Sequence, residues 1–261
     1  YHCYPNQMNP DNKYKGRSHP LPEEVMANAL AIPQIMSRFE GLVKNYAPER
    51  MGKIEFTFLE WDGSWDAVSS DLDFQYKGVM WSLANAIFYA DALGQMALNG
   101  ISVSSMYTLE EVMFGLIRGW DKEAGWGGSP WDRESVRPKA YAIKIFSRYF
   151  GDILIKNNLQ GSPSYYKEQD WSSSSFAGNV PYVAAYTSRF TSEDTVAIVL
   201  INKHASQDFP VTINLKNFVP ADTGDAWILM GPDLLSQNDG KPGTVKLKKF
   251  AVKDVKDSFV F

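Results

Sequence analysis

The periodicity of this chain changes once, near residue 160, and that change constrains the fold more than any single motif. Before it, short alternating runs take turns with longer stretches at helical spacing. After it, only short strand-like runs separated by turn residues remain. "YHCYP" reads as the close of a strand ended by Pro5, "KIEFTFLEW" as a second strand, and "ISVSSMYTL" as a third. Between and after them lie three helical stretches. The first begins at Leu21 with Pro22 and two acidic residues, is interrupted by Pro33, and carries Ile35, Met36, Phe39, Leu42 and Val43 on one stripe. The next runs from about Val79 to Leu98 and is closed by Asn99-Gly100, and "RPKAYAIKIFSRYFG" stops at Gly151.

Strand alternating with helix predicts a parallel sheet, here of three β/α units within residues 1–160. Residues 161–261, with "VPYVAAYTSRF", "DTVAIVLINKH", "FPVTINLKNF", "DAWILMG", "GTVKLKKFAV" and "SFVF", predict a β-sandwich, with the boundary near Gly161. The expected fold class is therefore α/β followed by all-β.

Composition excludes several function classes. A formal net charge of -4 offers no basic footprint for nucleic acid, and "KLKKF" at 246–250 reads as a solvated strand edge. A single cysteine, Cys3, forms no internal disulfide and leaves the compartment open between extracellular and cytoplasmic, with extracellular ahead. No apolar run approaches the roughly 20 residues that cross a bilayer. The chain opens on Tyr1 without a methionine, which leads us to expect processing or truncation at the front. His2, His19 and His204 lie far apart in sequence, so no metal site is expected; no phosphate loop or serine elbow occurs, and no cofactor is called for. The eight tryptophans and an aromatic share of 14% suit sugar stacking, although core packing is the commoner use of such rings.

The segment "IEFTFLEWDGSW" contains the sharpest candidate. Simple alternation puts Ile54, Phe56, Phe58 and Glu60 on one inward face and Leu59 on the other. Glu60 then stands at the carboxyl end of a parallel strand, where barrel enzymes place reacting groups. Trp61 and Trp65 would supply an apolar wall that shapes a sugar subsite or raises a carboxyl pKa. A structural alternative stands beside this reading: Glu60 caps the next loop or pairs with a lysine. Cys3 beside His2 suggests a thiol nucleophile at first glance, but strand neighbours point to opposite faces and a packed cysteine is the simpler reading.

In order and spacing, these segments resemble retaining glycoside hydrolases with a (β/α)8 barrel, especially the α-L-arabinofuranosidase and β-xylosidase group. "YHCYP" is similar to their sixth strand, "IEFTFLEWDGSW" to the seventh with its Glu-Trp pair, and "ISVSSMYTLEEVMFGLI" to the eighth and the segment after it. "RPKAYAIKIFSRYFGDIL" is similar to their last barrel helix, and "VPYVAAYTSRFTSEDTVAIVLINK" to the sandwich that follows. The resemblance implies the last three β/α units of a TIM-type barrel, a carbohydrate substrate, and double displacement with Glu60 as nucleophile. It further implies that Tyr4 donates a hydrogen bond to Glu60, that His2 faces the same pocket, and that Tyr107, Trp126 and Trp131 wall the sugar; each of these three aromatics serves equally as loop packing.

One departure matters. The family's acid/base glutamate follows an asparagine at the end of the fourth strand, and this chain has no Asn-Glu dipeptide and nothing similar to the first five strands. Glu110 and Glu111 fall in what reads as a helix start, and Glu123 and Glu134 in loops, so none matches. The family would also continue beyond "DSFVF" by one more strand. Three units cannot close a barrel. We therefore expect a second polypeptide to supply the first barrel strands, and the chain alone to aggregate. Two other classes of function stay open: a non-catalytic structural or carbohydrate-binding subunit that kept the fold, and a sandwich that works as an independent adhesion module.

Overall fold

The computed structural model describes residues 2–5, 21–63, 79–111, 114–118, 135–169, 175–239 and 242–261. Three parallel strands, β1 (His2–Cys3), β2 (Phe56–Trp61) and β3 (Ile101–Met106), form one sheet with β2 in the centre. The helices are α1 (Pro22–Ala27), α2 (Ala31–Tyr46), α3 (Leu83–Leu98) and α4 (Pro138–Tyr149). A 3₁₀ turn, Asn28–Leu30, separates α1 from α2. Pro33 thus falls in the first turn of α2, where its missing N–H forfeits no helical bond. The expected interruption is real, and it comes just upstream of the proline. The helix expected from Val79 breaks at Ser82, whose hydroxyl donates to the Val79 carbonyl at 2.7 Å, and resumes as α3. It ends as anticipated on Asn99, followed by Gly100 at a φ of 68°.

Glu110–Glu111 and Ile117–Arg118 form short parallel strands, β4 and β5, rather than the helix start expected there. The turn between them admits no side chain at Gly115: a Cβ would stand 2.3 Å from the Ile117 carbonyl and 2.4 Å from the Glu111 nitrogen. That tight return favours an extended pair over a helical turn.

The all-β region comprises β6 (Ile153–Leu154), β7 (Ser164–Lys167), β8 (Gly178–Pro181), β9 (Val183–Arg189), β10 (Val196–Asn202), β11 (Thr212–Asn214), β12 (Thr223–Met230), β13 (Lys246–Lys253) and β14 (Ser258–Val260). The order β10-β9-β6 forms an antiparallel sheet, and β7-β8, β11-β14 and β12-β13 pair in twos. The six expected strand segments are all present. "VPYVAAYTSRF" divides between β8 and β9, and the short β6 and β7 were not anticipated.

One apolar core joins the two regions. Ile35 and Met36 of the expected α2 stripe, with Ile32 before them, meet Phe58 and Trp61 of β2, Phe88 and Ala92 of α3, and Ala184, Tyr186 and Ile201 of the sandwich, whereas Leu42 at the far end of that stripe is exposed. Two polar latches reinforce the seam. Lys203 donates to Asp91 at 2.8 Å, Tyr186 donates to the same carboxylate, and Gln95 donates to the Tyr186 hydroxyl at 2.9 Å. Arg137 pairs with Asp239 at 3.1 Å while its guanidinium lies 4.5 Å from the centre of the Trp81 ring. Among the described residues no helix is long and apolar enough to cross a membrane.

Candidate active site

A slip in strand pairing sets the direction of Glu60. Phe58 pairs with Ser104 and Trp61 with Met106, so β2 takes three steps (58 to 61) where β3 takes two (104 to 106). The extra residue is a bulge, and it reverses the alternation. Phe58 is fully buried and Phe56 stacks on Phe39 of α2 at 5.9 Å, so the face of these two rings is the helix-covered one. Leu59 is 60% exposed on the other face. Past the bulge Trp61 turns back to the helices, packing on Phe88 and Tyr89 with ring centres 6.4 and 4.5 Å away. Glu60 is left facing outward with Leu59. The single inward face expected for Ile54, Phe56, Phe58 and Glu60 is therefore corrected: the phenylalanines and the glutamate lie on opposite sides.

Trp61 changes role for the same reason. It is 2% exposed and belongs to the core, so the expectation that it walls a sugar gives way to packing. Cys3, its partner in the β1–β2 ladder, is buried beside it. Burial pushes the Cys3 thiol from 9.0 up to about 12, which suits a packed thiol rather than a nucleophile.

Glu60 pairs in register with His2. The His2 Nδ1 lies 3.7 Å from Glu60 Oε1, too far for a hydrogen bond and close enough for an ion pair when the imidazole is protonated. Tyr4, two residues after His2 and on the same side of β1, donates its hydroxyl proton to Glu60 Oε1. Burial holds the Tyr4 hydroxyl well above its ordinary range, and the bond to Glu60 and the Glu60 charge add to this, so Tyr4 stays a donor across the working pH range. The Glu60 side chain is 25% exposed. Among the described residues its polar partners are Tyr4 and His2. The structural alternative of a lysine partner does not occur among them.

Tyr107 follows β3 and donates its backbone N–H to the Trp61 carbonyl at 3.0 Å, extending the ladder past Met106. Its ring meets Phe114 edge to face at 5.9 Å and is 39% exposed. Glu111 accepts the Phe114 N–H at 2.5 Å and so serves the β4–β5 turn. Trp65, Trp126, Trp131, Glu123 and Glu134 lie outside the described residues. No group of three or more potential metal ligands forms among the described residues.

Sequence reasoning missed the charge behind the site. Asp62, two residues past Glu60, is buried and receives the Lys139 ammonium at 2.5 Å. One signal was available: Lys139 occupies the first turn of a helix, where the backbone dipole opposes a cation.

No family model matches this chain, and no curated protein sequence does. Solved structures do. The arabinose complex of the α-L-arabinofuranosidase from Thermotoga maritima superposes over 100% of this chain and 49% of its own, with a TM-score of 0.76 and 18% identity. The thermostable GH51 α-L-arabinofuranosidase of Thermotoga petrophila RKU-1 matches 89% of this chain and 46% of its own, with a TM-score of 0.72 and 18% identity. A bifunctional glucanase-xylanase from a metagenome library, CelM2, gives a TM-score of 0.55 at 14% identity, over 98% of this chain and 40% of its own. The chain thus spans about half the length of the structures it matches. At such identities the likeness establishes the fold: a partial TIM-type barrel joined to a β-sandwich, as in the later part of these enzymes.

Proposed function

We propose that this chain is the nucleophile-bearing part of a retaining glycoside hydrolase that cleaves arabinofuranosides or xylosides in polysaccharide. The observation that carries the reading is the hydrogen bond from Tyr4 to Glu60 at the carboxyl ends of adjacent parallel strands. A carboxylate held there by a neutral donor is oriented without being neutralised, as an attacking group requires. In the reaction, Glu60 bonds to the anomeric carbon as the glycosidic bond breaks, and a second carboxyl group protonates the departing oxygen. Water then attacks the glycosyl-enzyme while the second group takes its proton, returning Glu60 as a free carboxylate. Retention requires the two groups to lie about 5 to 5.5 Å apart. The second group comes from residues other than these, in cis or on a second polypeptide that completes the barrel. Tyr107, with Trp65, Trp126 and Trp131, would wall the sugar. The unit boundary near Gly161 belongs to the same proposal, with β6 reaching across it to pair with β9.

The test uses the barrel-complete protein and a 2-fluoro glycoside that traps the covalent intermediate. Mass spectrometry of the digested adduct should place the sugar on Glu60, and Glu60→Gln should lower kcat on the order of 10⁴-fold or more with the melting temperature unchanged. A label on another residue, or full activity in the variant, overturns the assignment.

A second reading, a carbohydrate-binding subunit without turnover, is favoured by one observation: among the described residues no second carboxylate joins Glu60. Retention on insoluble polysaccharide, with no hydrolysis in the barrel-complete protein, would establish it.

A further inference from the structure

The buried Lys139 cation makes no bond to Glu60, yet its bonds converge on the elements that carry the site. Lys139 is the second residue of α4 and is 2% exposed. Its ammonium donates to Asp62 Oδ2 at 2.5 Å and to the Phe114 carbonyl at 2.5 Å, and stands 3.5 Å from the Tyr89 hydroxyl of α3. A lysine has three protons to give, and these three partners sit on three separate elements. Asp62 in turn accepts the Gly63 N–H at 2.5 Å through Oδ1, while its own N–H reaches the Cys3 carbonyl at 3.4 Å. Lys139 therefore ties the end of β2, whose Asp62 backbone bonds the end of β1, to α3 and to the segment whose Phe114 ring supports Tyr107.

Such a node is an expensive way to gain stability. Burial pushes the Lys139 ammonium below its ordinary range against the opposing pull of Asp62, and the start of a helix disfavours a cation there. Well-packed apolar residues of similar volume in place of a buried ion pair are often neutral or stabilising. What an ion pair adds over apolar packing is direction, because its hydrogen bonds fix where the partners stand.

We infer that Lys139 is a positioning residue for Glu60 and Tyr107, acting through Asp62 and the Phe114 carbonyl. This rests on the proposed role of Glu60. Catalysis is sensitive to displacements of about 1 Å, so a loosened end of β2 lowers turnover without removing any group that touches the sugar.

The experiment replaces the pair by an apolar one, Asp62→Leu with Lys139→Met, in the barrel-complete protein and reads two quantities. The first is kcat against KM: we expect kcat to fall about 10- to 100-fold, the range a displacement of that size costs, with KM within about threefold. The second is the slowly exchanging Tyr4 hydroxyl proton in the NMR spectrum, present in the parent protein and lost in the double variant, whose melt stays cooperative. Asp62→Asn, which keeps an acceptor for Lys139, should retain the resonance and most of kcat. If the double variant does not fold, Lys139→Gln, which removes the charge and one donor, is read in the same way. Parent-like kcat with an intact Tyr4 resonance in the charge-free variant overturns the inference, as does absence of that resonance from the parent. If the parent shows the resonance but neither turns over nor is labelled, the glycosidase reading fails, and the positioning of Glu60 by Lys139 is decided by the resonance alone.

Discussion

The seam between helices and sandwich, and the open ends of the parallel strands, both place charge on a framework of buried aromatics, and they treat it differently. At the seam, Asp91 and Lys203 are wholly buried and answered by each other, with Tyr186 and Gln95 completing the set. At the strand ends, Glu60 is answered by Tyr4 while Leu59 and Val103 of the same sheet stand exposed. The first arrangement is closed on itself and holds the chain together. The second is oriented and left open on one side, as the proposed role of Glu60 requires. The comparison teaches that the answered charge lies at the seam with the sandwich and the open carboxylate on the sheet face turned away from the helices.

Breaking the seam should therefore cost stability on a scale that breaking the site does not. Lys203→Met leaves the Asp91 carboxylate buried and unpaired, and denaturant unfolding should show a loss of about 3–5 kcal/mol. A loss below about 1 kcal/mol would mean that packing alone holds the seam. Next in size is Gly94→Ala. A Cβ there would meet the Tyr186 ring at 2.4 Å, and that ring cannot swing aside while its hydroxyl is tied to Asp91. Overpacking of about 1–3 kcal/mol should outweigh the ~1 kcal/mol that alanine gains over glycine inside a helix. Unfolding should record a net loss, and a net gain would show the contact to be soft.

At the strand ends the effects on stability shrink. Tyr4→Phe should cost about 1 kcal/mol or less in unfolding while lowering kcat of the barrel-complete protein by roughly 10- to 100-fold. A larger loss of stability than of turnover would erase the distinction between the two regions. Silent at neutral pH is the effect of Cys3, which reports how firmly β1 is seated. Because burial raises the folded thiol from 9.0 to about 12, the folded chain binds that proton more tightly than the unfolded one. The stability so contributed is complete below pH 9 and is lost as pH rises from there toward 12. Alkylation at pH 8 should run about a hundredfold or more slower than in the unfolded chain, and rapid labelling would show β1 to be loosely held.

Much of this fold was legible because its signals are local. The α2 stripe, the Asn99-Gly100 stop and the strand runs each announce themselves within a few residues. The orientation of Glu60 was not legible, because the bulge depends on how β2 meets β3, some forty residues on, and no property of "FTFLEW" alone records it. Alternation by itself placed the glutamate with Phe58, and the slipped register separated them. Trp61 misled for a different reason: it sits beside the candidate acid in sequence, and strand neighbours point to opposite sides of the sheet with or without the slip. The Asp62–Lys139 pair lies 77 positions apart in the chain, and only the oddity of a lysine opening a helix pointed to it. The short strands β6 and β7 carry too few residues to show a period.

The irregularity in β2 also says how this surface would be lost. One residue added to β3 between Ser104 and Met106 would match the two strands step for step, restore simple pleating and carry the carboxylate down among oily rings, with β2 itself unchanged. The glutamate would then persist in the sequence after its place on the open face had gone.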